Sequence, residues 1–270
     1  MKKYLLLPLA ALLLCGATSA RAAANVPAQV QLATGEVLQG SLSWLPADKK
    51  YVLGVKQGGG PVIEKKFSAS DVVQFRVKEP QEWAGLRQAA AKTPDAALAR
   101  LQAFAEGYRR LQWDGEAGAL IAQILLRKGQ AKQAVDACRK IVQGNDRAAW
   151  DSAMAPWYWR ALIESNQTGS LPGLLEKGAT SADRAVAAQA CLKRGDMFDA
   201  QNDAKSALKD GYLRVVFLFQ DVADARAEAI YKAAQMFDKL HQSAYAEKMR
   251  KLLLDQYRNS PWTKRLSSGD

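Results

Sequence analysis

Near Pro80 the hydrophobic period of the chain changes from two residues to about 3.6, which divides it into a β unit followed by an α unit. Before the switch, Gln29–Leu32 alternates polar and apolar. Val37–Leu45 alternates again and puts Leu38, Gly40, Leu42 and Trp44 on one face. Tyr51–Lys56, Pro61–Phe67 and Val72–Val77 complete five short strands. Thr34-Gly35, Asp48-Lys49-Lys50 and Gly58-Gly59-Gly60 separate the first four. Five strands in so few residues cannot leave both faces wet, so the pattern predicts a sheet curled into a small barrel. Gly40, inside the second strand, suggests a sharp bend at a corner.

After the switch alanine is abundant, and Leu98, Leu101, Phe104, Ala105 and Tyr108 share one helical face. An internal repeat follows. The stretch Ala119 to Gly129 recurs as Ala185 to Gly195, 66 residues later, and more loosely as Tyr231 to His241. Ala122, Ala188 and Ala234 are small enough to let two helices approach. Gly129 and Gly195 would end the first helix of each pair, and His241 holds the same turn position. Ala134, Ala200 and Ala246 would pack the second helix back. A degenerate copy is expected between the first two. Its first helix would run from Trp157-Tyr158-Trp159 to Gly169, and Ser170-Leu171-Pro172-Gly173 would leave its second irregular or short. Gly211–Ala225 does not fit the pattern and reads as a longer helix or an insertion.

These spacings resemble the tetratricopeptide repeat, a helix-turn-helix unit of about 34 residues. The segment Leu252–Trp262 resembles the repeat ends of bacterial envelope proteins of that class, with Arg258 in place of a proline. Val30-x-Leu32-x-Thr34-Gly35-x-Val37-Leu38-x-Gly40-x-Leu42 and Asp71-Val72-Val73-x-Phe75 resemble the first two strands and the last strand of Sm-like and SH3-like barrels. The expected fold is therefore multidomain β + α: a small five-stranded SH3/Sm-like barrel over 27–79, then an all-α tetratricopeptide-like array of helical hairpins over 81–266.

Residues 1–22 read as a signal peptide. Lys2-Lys3 is a positive start, Leu5–Ala17 an apolar run shorter than a membrane span, and Ala20-Arg21-Ala22 a small-x-small cleavage pattern. The alternatives are a membrane anchor and lipidation at Cys15, the latter disfavoured by Leu14 before it. The mature protein is expected in the periplasm or cell envelope of a bacterium. Loss of Lys2, Lys3 and Arg21 takes the net charge from +11 to +8, spread without any block of five like charges. Export argues against nucleic acid as the partner of this basic chain. It leaves acidic or extended protein segments, cell-wall polymers or anionic membrane surfaces. Cys138 and Cys191 fall on apolar helix faces and are expected as free, buried thiols, a disulfide being the alternative.

The search for catalytic chemistry is short. A single histidine, His241, removes His-rich metal sites and makes Ser-His-Asp catalysis improbable. Gly58-Gly59-Gly60 lacks the Gly-Lys-Ser/Thr that would make it a phosphate loop, and no GxSxG occurs. Asp199 and Asp203 share a helical face, which reads as solvated. No enzyme activity and no cofactor or metal are expected. The resemblance implies instead a concave surface lined by the first helices. There Gln123 with Arg127, Gln189 with Lys193 and Gln235 with Lys239 would form a ladder of amides and cations for a peptide backbone and carboxylates. The expected function is a non-catalytic protein–protein interaction adaptor or scaffold of the envelope. A cell-wall or polysaccharide-binding protein using its basic surface and barrel is the alternative. Trp157-Tyr158-Trp159 reads as core packing before it reads as a sugar or peptide site.

Overall fold

The computed structural model describes residues 25–56, 60–143 and 145–268. Residues 1–22, which the sequence reads as a signal peptide, with Cys15, and Gly58 and Gly59 of the glycine turn, lie outside these residues. Strands β1 (Val26–Leu32), β2 (Val37–Leu45), β3 (Lys50–Lys56), β4 (Val62–Ser68) and β5 (Val72–Val77) form an antiparallel sheet in the order β4-β3-β2-β1-β5. Its alternation is the sequence's own: Val30, Leu42 and Leu53 are fully buried, with Leu38, Trp44, Tyr51 and Phe67 around them. Gly40 is required by contact. A Cβ there would lie 2.3 Å from the Gly54 carbonyl oxygen of β3.

The expected barrel is not closed, because β4 and β5 do not pair. Its inner face is finished by the α unit instead: Leu111, from the loop between the second and third helices, is fully buried in the β core. A face already filled from outside gains nothing apolar by closing the ladder.

The helices are α1 (Trp83–Lys92), α2 (Pro94–Gly107), α3 (Trp113–Arg127), α4 (Ala131–Val142), α5 (Ala155–Glu164), α6 (Leu171–Gly178), α7 (Arg184–Ala200), α8 (Ala204–Ser206), α9 (Leu213–Leu218), α10 (Ala223–Lys239), α11 (Ser243–Gln256) and α12 (Pro261–Ser268). A π-helical turn, Ala207–Tyr212, joins α8 to α9. Helix α3 packs on α4 and α5, α5 on α7, and α7 on α10. Trp159 is fully buried, and its indole N–H donates to the Ala149 carbonyl at 2.9 Å, so the aromatic cluster is core. Cys138 and Cys191 are free and buried in separate core clusters; burial raises both thiol pKa values, that of Cys138 to about 12.

Four helix ends share one geometry. Gly129, Asn166, Asn202 and His241 all take left-handed φ values, between 57° and 70°. In each case the next N–H reaches back five residues to a carbonyl: Gln130 to Leu125, Gln167 to Leu162, Asp203 to Phe198 and Gln242 to Phe237. This is the Schellman stop, which satisfies carbonyls the helix leaves open. The stops are 37, 36 and 39 residues apart.

The second copy of the repeat is corrected by this spacing. Gly195 does not end a helix; α7 runs through it to Ala200, which is exposed rather than packed in a second helix. The stop comes seven residues later, at Asn202. Seven residues are close to two helical turns, so the sequence match kept the right helical face and lost the register. Gly211–Ala225 holds the π-helical turn and α9, and Leu252–Trp262 leads into α12.

Candidate functional site

A groove runs over α3 between α2 and α4. Its volume is about 630 Å³, within the usual range for binding pockets. Helical spacing builds it. Leu98, Gln102, Ala105 and Arg109 stand at i, i+4, i+7 and i+11 on the α2 side, Ile121 and Leu125 on α3 with Lys128 just past its end, and Gln133, Ala137 and Lys140 on α4. The floor is apolar; the walls carry the amides of Gln102 and Gln133 beside the charged side chains of Glu106, Asp136 and Lys140. Arg109 spans one end, its guanidinium donating to the Gln143 carbonyl at 3.3 Å. At the other end Lys128 pairs with Asp95 at 2.5 Å.

Beneath the Arg109 end lies Asp114, 4% exposed. Its carboxylate accepts from the backbone N–H of Arg110 at 2.7 Å and of Gly115 at 3.0 Å. Burial raises its pKa to about 6, against the lowering effect of those hydrogen bonds and of Arg109. Asp114 also lines a second cavity of about 440 Å³ beside β5. It therefore stands where the groove, the sheet and the α2–α3 loop meet.

That loop is the joint between the two units. Arg110 and Gln112 both have positive φ, 61° and 71°, sparsely populated backbone for a non-glycine residue that costs on the order of 1–3 kcal/mol each. The bonds around them offset it. Besides the Asp114 contact, the Tyr51 hydroxyl donates to the Arg110 carbonyl at 3.0 Å, and the Val77 N–H donates to the Gln112 side chain at 3.3 Å. The Arg110 guanidinium lies 4.1 Å from the centre of the Trp44 ring. The kink turns Leu111 into the sheet. Burial raises the Tyr51 hydroxyl pKa to about 12.

The residues nominated from sequence lie elsewhere. Gln123 and Arg127 are on α3 but do not line the groove; Arg127 donates weakly to the Gln123 carbonyl at 3.4 Å. Lys193 pairs with Asp196 at 2.8 Å, and Lys239 with Asp199 at 2.5 Å, so both cations hold carboxylates of α7. Gln235 donates to the Tyr231 hydroxyl at 3.1 Å, and Gln189 is half-buried. Counted from the Schellman stops, Gln123/Arg127 and Gln235/Lys239 correspond. The α7 residues in register with them are Asp196 and Ala200, two turns after Gln189 and Lys193. Asp203, read as solvated, caps α8 by accepting from Ser206 N–H at 3.0 Å.

Asp196 anchors a half-buried network. It accepts from Lys193, from Lys232 at 2.7 Å and from the Tyr212 hydroxyl at 3.0 Å, and Lys232 also reaches Glu228 at 2.6 Å. Burial pushes the Asp196 pKa up, but Lys193 and Lys232 together outweigh it and the net shift is downward. Sequence spacing could relate Glu228 to Lys232 within one helix. Only the packing of α7 on α10 brings Asp196 to them.

Among the described residues, no group of three or more His, Cys, Asp or Glu side chains is placed to hold a metal ion, and no helix is long and apolar enough to cross a membrane. Comparison with protein-family models, curated proteins and solved structures finds no match. The functional reading rests on geometry.

Proposed function

We propose that the protein is an exported, non-catalytic adaptor of the bacterial envelope, and that the α2–α3–α4 groove receives an apolar segment of a partner protein. The groove carries this reading: an apolar floor between walls of amides and charged side chains can take apolar side chains and pair a peptide backbone at once. It is preferred to the Gln–cation ladder because Lys193 and Lys239 already hold internal carboxylates. Helix stops every 36 to 39 residues support a tetratricopeptide-like array, and the strand order with the β1–β5 pairing supports an SH3/Sm-like ancestry for the sheet.

The test is site-specific photocrosslinking in the native host. A photoreactive phenylalanine at Gln133, on the groove wall, should capture a discrete partner at an apolar segment. The same probe at Gln189 should not. Ala137→Trp fills the groove from a half-buried position and should reduce capture at least about tenfold while thermal unfolding is unchanged. Crosslinks from Gln189 but not from Gln133 would move the partner site to the ladder.

A further inference from the structure

The outward face of the sheet carries an ordered set of amides. β1 is the strand between β2 and β5, and its outward side chains include Gln29 and Gln31. The register places Gln29 opposite Gln39 on β2 and Arg76 on β5, and Gln31 opposite Val37 on β2 and Gln74 on β5. Residues opposite one another in antiparallel strands share a face. Two rows therefore cross three strands: Gln39–Gln29–Arg76 and Val37–Gln31–Gln74. All six residues are exposed, while Val30, Leu38 and Val77 point into the core.

Among the described residues, the four glutamine amides and the Arg76 guanidinium have no hydrogen-bond or ion-pair partner. Two depressions lie on this face, of about 270 and 440 Å³, and Gln29 and Arg76 line both. Lys78 lines the larger. No acidic side chain lines either one. The face is thus polar, amide-rich and cationic without a counter-charge.

We propose that this face binds an acidic polysaccharide, with the glutamine amides meeting sugar hydroxyls and Arg76 and Lys78 meeting the carboxylates. A primary amide donates two hydrogen bonds and accepts through its oxygen, which matches a hydroxyl that also does both. Strands about 4.8 Å apart, with like-facing residues about 6.8 Å apart along each, set the amides at the scale of successive sugar rings. The guanidinium is suited to a carboxylate. Single-stranded nucleic acid fits less well. Its non-specific binding uses an exposed aromatic platform and a cationic track, whereas these rows hold no aromatic ring and Phe75 is half-buried. A protein partner would want a buried apolar anchor at the centre, where Gln29 and Gln31 stand. The site is independent of the α2–α4 groove.

The experiment uses the protein as purified from its native host and three probes: a galacturonate oligomer, a neutral dextran oligomer of equal length, and a mixed-sequence single-stranded DNA. The galacturonate should bind and shift the side-chain amide NMR signals of Gln29, Gln31, Gln39 and Gln74. Arg76→Gln should weaken it about tenfold and reduce its dependence on salt. Gln29→Thr with Gln31→Thr, which keeps strand propensity, should weaken it at least as much. Dextran should bind more weakly and ignore Arg76→Gln. The proposal is overturned if galacturonate leaves those amide signals unmoved up to millimolar concentration, or if DNA binds more tightly than galacturonate. The NMR readout needs no variant, so a misfolded mutant cannot decide the outcome. Photocrosslinking in the groove is separate and can fail or succeed alone.

Discussion

Helices α3 and α7 carry the same eleven-residue pattern, yet the glycine that ends it has two different roles. Gly129 sits at φ 70° with nothing within 4 Å of where a Cβ would be, and it is needed for its backbone angle. Gly195 lies inside α7. A Cβ there would be 2.5 Å from the Tyr212 ring, and one on Gly211 would be 2.3 Å from the Gly195 Cα. Gly195 is needed for its missing side chain. The two glycines let α7 and the π-helical turn touch backbone to backbone, and the Tyr212 hydroxyl then reaches Asp196 at 3.0 Å. A glycine's role follows from what stands opposite it, which local sequence does not contain.

The contrast is broken most severely at the backbone contact. Gly211→Ala should destabilise the fold by about 3 kcal/mol or more, since its Cβ meets main chain that cannot rotate away. Gly195→Ala should cost somewhat less, because Tyr212 can shift at the loss of its hydrogen bond. Urea unfolding midpoints measure both. A loss below about 1 kcal/mol for Gly211→Ala would mean that α7 and the π-helical turn do not touch in this way.

The two first helices also differ in a carboxylate, buried in α3 and half-buried in α7, and pH separates them. Asp114 has its pKa raised to about 6 by burial. Its contribution to stability is complete below its unfolded pKa, near 4, and is lost as pH rises through about 6. Wild type should therefore lose on the order of 2 kcal/mol from this group between pH 4 and pH 7, and Asp114→Ala should remove that slope. Asp196, lowered by Lys193 and Lys232 against its burial, has the opposite sign. Its contribution is present above the unfolded pKa and lost as pH falls through its depressed folded value. Asp196→Asn should flatten only the acid side. Denaturation curves across pH 2–8 for the three proteins check both signs, and parallel curves would refute the assignment.

The smallest effect concerns the helix stops. Gly129→Ala should cost about 1 kcal/mol, because alanine is strained at positive φ. His241→Gly should change stability by less than that, with relief at φ 57° opposed by the freer unfolded chain. Thermal melts of the two variants test whether the stops share one geometry. Equal losses from both would show that His241 contributes through its side chain.

Much of the fold was legible because its signals are local. Alternation along Gln29–Leu32 and Val37–Leu45 fixed which strand faces are buried, and the left-handed stops at Gly129 and His241 follow from turn chemistry. The third copy of the repeat was found in register, whereas the second was displaced by seven residues. Two helical turns restore nearly the same face, so periodicity could not detect the slip, and Asn202 stops a helix less conspicuously than glycine. The groove was missed for another reason. Gln102, Ala137 and Lys140 look like an ordinary helix surface until α2 and α4 are placed on either side of α3.

Local sequence was enough for the β-then-α order, the buried faces of the strands, the free buried cysteines and the α3–α4 and α10–α11 pairs. Each depends on period, turn residues or the preference of small apolar side chains for helix packing faces, all readable within a few turns of chain. Tertiary structure alone decided that the sheet stays open and is filled by Leu111, that Arg110 and Gln112 hold strained angles to put it there, and that Asp114 is buried where three elements meet. It also decided that Lys239 of α10 is committed to Asp199 of α7. These outcomes depend on which side chains arrive from distant parts of the chain, and burial and Coulomb energies are set by that arrival.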